Sequence, residues 1–285
     1  MPDLPLHESA YAAPQAAYAS GSNGPSASAE PAPGGSTRPV PLTDDDLAAM
    51  MRDHEPSFWE RNSGRVVTLA LIAANVIAYL AEVLLSGTGQ EISLRTLVEM
   101  GAMCAPFVQG PEDLYRFITP MFLHMDLMHL LFNMVALYSV GELLERVLGR
   151  GSFVILYFVA GITGNAVSYA TSLVEGGLSV SAGASTSVFG LFVAVALLCV
   201  LVRGDRAIFR EFSRGMLSVI AINVVYTLLV PSVSISGHLG GAVGGAIAML
   251  MIPAASLRTP RAVRIVVAVA WVAALAGVLV WGGVF

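Results

Sequence analysis

After residue 60 the chain alternates between long apolar runs and short polar connections. The hydrocarbon core of a bilayer is about 30 Å thick, so a helix needs roughly 20 residues to cross it. Runs of this kind lie near 65–85, 127–147, 152–172, 186–202, 214–230, 237–253 and 263–282, which predicts seven membrane-spanning helices. The third and fifth carry Asn165 and Asn223, and the sixth is rich in glycine. Such residues belong on faces that meet other helices rather than lipid.

The connection 86–123 is half apolar and too broken to span. It is expected to pack on protein or lie at the interface, with Phe107, Tyr115, Phe117 and Phe122 suited to the headgroup region. Ahead of the first run, residues 43–60 read as a short amphipathic helix with Thr43 as N-cap and an acidic first turn. Residues 1–45, rich in Ala, Pro, Ser and Gly, bury too little apolar surface to offset their ordering entropy and read as a disordered tail. No basic stretch followed by an apolar core marks this tail as a secretory signal.

Composition agrees with the pattern. Hydrophobic residues make up 55% and charged residues 12%, against about 25% charged in a soluble domain, which excludes a water-soluble globular protein. Net charge is -5 and there is no lysine; without a long basic stripe, no nucleic-acid partner is expected. Cys104 and Cys199 form neither a disulfide framework nor a metal site. Arg52, Arg61, Arg65, Arg146, Arg150, Arg203, Arg206, Arg210, Arg214, Arg258, Arg261 and Arg264 fall on one side of a seven-span chain. Only Arg95 and Arg116 fall on the other. The excess places the N-terminus in the cytoplasm and the C-terminus outside.

Three places carry chemistry. In "GASTSVFG" (183–190), Gly183 permits a close backbone approach and Ser185 sits at a helix N-terminus. Unpaired N–H groups there suit a developing oxyanion, although small residues in membrane helices also serve packing alone. In "SGHLGGAVGGA", His238 stands beside Gly237, Gly241 and Gly245, which recur every four residues and let a neighbouring helix approach. A histidine at a span end is otherwise a packing or interfacial residue. In "HMDLMHLLFN" (124–133), His129 and Asn133 share one helix face, and His124 lies just upstream. Donors to an oxyanion fit this set better than metal ligands, because no carboxylate or thiolate beyond Asp126 sits at ligand spacing.

Together, "YRFITPMFLH" (115–124), "HMDLMHLLFN" (124–133), "GAST" (183–186) and "GHLGGAVGG" (237–245) resemble the rhomboid family of intramembrane serine proteases, over roughly residues 65–255. The resemblance implies an all-α, polytopic membrane helix bundle: a six-helix rhomboid-like protease core at 65–255 plus one C-terminal transmembrane helix at 256–285. A cytoplasmic tail (1–45) and a juxtamembrane segment (46–64) precede it. Ser185 matches the family nucleophile and His238 its general base. His129 and Asn133 match oxyanion-hole side chains, and Phe189 matches the aromatic beneath the imidazole, although a plain core Phe is an equal reading. Tyr115-Arg116 matches a Trp-Arg pair in the first loop, and Glu145 and Arg146 match a polar cluster at the cytoplasmic end of the second span. His124, Gly183 and Gly241 support the site. Thr186 departs from the commonest Gly.

A serine hydroxyl needs a base, and no acidic residue lies near His238 in its span, so a Ser-His dyad is expected. No cofactor or metal is required. The expected partners are transmembrane protein substrates and the lipid bilayer, in a prokaryotic plasma membrane, with the site opening outward past a movable fifth span. Oligomeric state is open. The rival readings are a rhomboid-like scaffold without proteolysis and a transporter with a polar path.

Overall fold

The computed structural model describes residues 43–45, 62–87, 91–176, 178–202, 218–225 and 234–285. The chain divides into two units, Met1–Glu55 and Pro56–Phe285, and the helix bundle is the second. The tail, nearly all of the expected 43–60 helix and most of the fifth apolar run therefore lie outside the described residues.

The elements are α1 (Val66–Ser86), α2 (Leu94–Glu99), three 3-10 turns (Ala105–Phe107, Pro111–Phe117, Thr119–Phe122), α3 (Leu127–Leu148), α4 (Arg150–Glu175), α5 (Ser185–Leu201), α6 (Ile235–Met251) and α7 (Arg261–Trp281). Residues 218–225 are also helical. Among the described residues, β structure is limited to isolated bridges. This is an all-α membrane bundle, as the apolar pattern predicts.

Among the described residues four helices, α1, α3, α4 and α7, are long and apolar enough to cross a membrane. Helices α5 and α6 have 17 residues each. At 1.5 Å per residue they are about 25 Å long, several ångströms short of a full crossing. Their starts also differ from the runs read from sequence. Helix α5 begins on Ser185 itself. Helix α6 begins at Ile235 because the Ser234 hydroxyl accepts the Gly237 N–H at 3.1 Å and caps the first turn. His238 is therefore the fourth residue of its helix.

The centre of the bundle is α4, α5 and α6, and glycine sets their spacing. A Cβ on Gly241 would collide with the Thr186 backbone, and one on Gly245 with the Gly190 backbone, both on α5. Gly240 and Gly244 make a second face against Val167, Thr163 and Ala160 of α4. The sequence reading finds only the first face.

Helix α1 is tied to α3 by buried Glu145. Its carboxylate accepts the backbone N–H of Val67 (3.0 Å), that of Thr68 (2.9 Å) and the Thr68 hydroxyl (3.0 Å). Helix α7 buries no residue fully. It is joined to α4 through Trp271 Nε1, which donates to Thr163 Oγ1 at 2.9 Å, and it packs on the core as an added helix.

The 86–123 connection differs in part from expectation. Phe107 and Tyr115 are exposed, but Phe117 is buried and packs edge-on against Tyr169 at 5.6 Å. Phe122 is partly buried among Tyr157 and Phe158. Arg116 is also buried, donating to the Val98 and Ala102 carbonyls at 2.9 and 3.1 Å, with the Tyr115 and Phe107 rings beside it. This cation ties the loop together internally, while Phe117 and Phe122 turn inward onto the aromatic rings of α4.

Candidate active site

Ser185 owes its position to the turn before α5. Gly183 N–H donates to the Pro120 carbonyl at 2.8 Å, and Ser181 pairs with Met103 in a short bridge. Gly183 adopts φ 139°, a region that L side chains rarely enter. A Cβ there would also lie 2.8 Å from both Cε1 and Nε2 of His129 and 3.1 Å from Ser185 Oγ. Two separate constraints thus require glycine, and they bring Ser185 and the His129 ring to the same spot.

His238 reaches that spot from α6. Its imidazole stacks on the Phe189 ring, with centroids 4.3 Å apart and planes at 9°. Phe189 lies one turn after Ser185 on α5, so one helix carries both the hydroxyl and the surface on which the imidazole rests. Gly241, one turn along from His238, removes the side chain that would hold α6 away from Thr186.

One small cavity is lined by Ser185, His238 and His129 together with Met125, Ser181, Ala182, Thr186 and Ser234. Its volume is about 10 Å³, room for roughly one water molecule. Ser234 is a site residue that the sequence reading misses. It caps α6 and exchanges a hydrogen bond with Ser168 on α4 at 2.8 Å. The signal was a Ser three residues ahead of a Gly-rich apolar run, which is an N-cap pattern.

Other nominated residues stand outside the cavity lining. Asn133 is one turn deeper on α3; its Nδ2 donates to the His129 carbonyl at 2.9 Å. His124 is fully buried and meets the His129 ring edge-on at 5.2 Å. Thr186 fits because glycines face it: a Cβ on Gly164 would lie 2.7 Å from Thr186 Cβ. Among the described residues no group of three His, Cys, Asp or Glu side chains gathers at metal-binding distance.

A half-buried hydroxyl, a buried imidazole on an aromatic platform and further polar groups, brought together in a membrane bundle, can support acyl transfer. Comparison with known proteins points the same way. The model of the Rhomboid domain matches residues 111–255. The chain is 33% identical to Rhomboid protease GluP of Bacillus subtilis over 239 residues, 82% of this chain and 42% of that protein. It is 36% identical over 131 residues to Putative rhomboid protease YdcA of Bacillus subtilis, covering 46% of this chain and 63% of YdcA. Identity to Rhomboid-like protease 3 of Toxoplasma gondii is 30% over 177 residues, 61% of this chain and 65% of that protein. The chain thus spans less than two thirds of the length of each of these relatives.

Proposed function

The chain belongs to the rhomboid family, and from that premise we propose that it is an intramembrane serine endopeptidase that cuts peptide bonds in or near transmembrane segments of other membrane proteins. The observation that carries this reading is the convergence of Ser185, His238 and His129 on one small cavity, with His238 resting on Phe189.

The mechanism follows from the residues. Neutral His238 takes the Ser185 hydroxyl proton as Oγ attacks the scissile carbonyl carbon. The resulting oxyanion is held by the Ser185 backbone N–H and by His129, with Asn133 completing the set. One such donor is typically worth about 10²–10³ in rate. The tetrahedral adduct collapses when the C–N bond breaks and His238 passes its proton to the leaving amine. A water molecule, deprotonated by His238, then attacks the acyl carbon and releases Ser185. No acidic residue lies near His238 in its own span, so we read the pair as a dyad, and the proposed reaction uses no cofactor.

A cavity of about 10 Å³ cannot hold a peptide, so substrate entry requires helices to part. The gate in this reading is the fifth apolar run, near 214–230, or the short loop that follows it in the sequence. A helical substrate hides its carbonyls, and helix-breaking residues at the cut site favour attack. The protein is an integral membrane protein. Its N-terminus lies in the cytoplasm of a prokaryotic cell, and its active site and C-terminus face outward, which is the arrangement the arginine distribution favours.

The test is cleavage of a model transmembrane substrate by purified protein in detergent. Wild type cleaves, and Ser185→Ala and His238→Ala do not. Cleavage that survives Ser185→Ala overturns the assignment. Absence of cleavage by wild type favours a binding scaffold.

A further inference from the structure

Two acidic side chains are buried inside the described membrane helices, Glu82 on α1 and Glu145 on α3. Glu145 is occupied in joining those helices. Glu82 is fully buried, yet the mechanism above gives it no task. Among the described residues no cation pairs with it, and its Oε2 has no hydrogen-bond partner. An ionisable group inside a membrane helix is costly and normally marks a functional contact.

Its contact is specific. Glu82 Oε1 accepts the backbone N–H of His124 at 2.9 Å. His124 lies in the short strap between the last 3-10 turn and α3. The same strap is held at Met125, whose carbonyl accepts the Ile92 N–H at 2.9 Å, and at Asp126, which pairs with Glu91. Asp126 then caps α3 by accepting the His129 N–H at 2.8 Å. The His124 ring meets the His129 ring at 5.2 Å. On its other contact the His129 ring crowds the Gly183 backbone, where a Cβ would lie 2.8 Å away.

We propose that Glu82 is a positioning residue for the oxyanion side of the site: its carboxylate fixes the 123–126 strap and, through His124 and the α3 cap, fixes His129. The bond made at His124 N–H crosses from α1 to the start of α3. Ser185 and His238 stand on α5 and α6, which make no hydrogen bond to Glu82 among the described residues. Loss of the bond therefore disturbs His129 and leaves the nucleophile and base in place.

This inference rests on the proposed protease with His129 at its oxyanion. A donor that acts only in the transition state affects kcat without KM. A misplacement near 1 Å costs about 10²-fold, and a bond lost from the strap moves His129 by less than that.

The experiment measures kcat, KM and thermal unfolding in detergent for Glu82→Met, Glu82→Gln, His129→Ala, the double variant Glu82→Met/His129→Ala, and Ser185→Ala. Glu82→Met lowers kcat about 10- to 100-fold with KM within about twofold. Glu82→Gln retains turnover within about threefold, because its amide oxygen still accepts the His124 N–H. In the His129→Ala background Glu82→Met costs less than about threefold more, since both act on one group.

Unchanged kcat in Glu82→Met overturns the proposal, as does a Glu82→Met loss that persists in full without His129. Should Glu82→Met fail to fold, Glu82→Gln decides: a loss beyond about tenfold with unfolding temperature intact contradicts a role through the hydrogen bond. Cleavage by Ser185→Ala would instead defeat the underlying protease reading.

Discussion

Replacing Gly241 with alanine adds one methyl group at the closest approach of the two helices that carry Ser185 and His238. The new Cβ would collide with the Thr186 carbonyl oxygen and lie 2.7 Å from the Thr186 carbonyl carbon and 3.0 Å from its Cα. Ordinary contact begins at 3.4 Å, so the carbon alone must retreat from 2.7 to 3.4 Å, about 0.7 Å. The obstacle is backbone and no rotamer relieves it. The helices must separate, and the gap between Ser185 Oγ and His238 opens by a similar amount. Since a 1 Å misplacement costs about 10²-fold, kcat should fall roughly 10- to 100-fold. Stability moves much less. Overpacking costs about 1–3 kcal/mol, while Gly to Ala in a helix returns up to about 1 kcal/mol. The assay is kcat and KM on a model transmembrane substrate with thermal unfolding alongside. Gly277→Ala on α7 is the control, because nothing lies within 4 Å of its added Cβ. Gly241→Ala with kcat within about twofold of wild type would refute the helix-approach argument.

The remaining predictions use the same assay. Phe189→Ala removes the platform under His238; a ring pair of this kind is worth about 0.5–1.5 kcal/mol, so kcat should fall roughly 2- to 10-fold while Phe189→Tyr keeps it. No change in Phe189→Ala would show that the stack is only packing. Activity should fall on the acid side, tenfold per pH unit, because protonated His238 cannot accept the Ser185 proton; an ordinary imidazole titrates near about 6.5. A flat acid limb with folding intact contradicts His238 as base. Glu145→Ala strands three donors at the start of α1, at about 1–3 kcal/mol for each one left unpaired, and should lower the unfolding temperature clearly while leaving KM unchanged. An unfolding temperature within measurement error of wild type would be the contrary result.

Much of this architecture is legible in the sequence, because a bilayer imposes a length on apolar runs that water does not. The runs near 65–85, 127–147 and 263–282 fall within two residues of α1, α3 and α7. Local rules place Ser185 at a helix start and put Gly241 and Gly245 on one face. What stays hidden is set by distant parts of the chain. Gly240 and Gly244 have a purpose only once α4 is beside them, and Thr186 is tolerated because Gly164 faces it. Ser234 is a partial miss, since its capping pattern was present one turn before the span. Glu82 is the clearest lesson. Its charge inside an apolar run was visible, but its partner is a backbone N–H 42 residues away, which no local pattern reveals. Phe117 and Phe122 look like headgroup aromatics because loop sequence alone does not show that Tyr169, Tyr157 and Phe158 of α4 receive them.

The central claim is that Ser185 is a nucleophile activated by His238, and one measurement reaches it without a natural substrate. Purified protein in detergent is treated with a fluorophosphonate that phosphonylates activated serines, and the adduct is mapped by peptide mass spectrometry. The account predicts a single adduct on Ser185, formed by wild type and lost in His238→Ala. Modification of another serine, or labelling of Ser185 that is equally fast without His238, would contradict it.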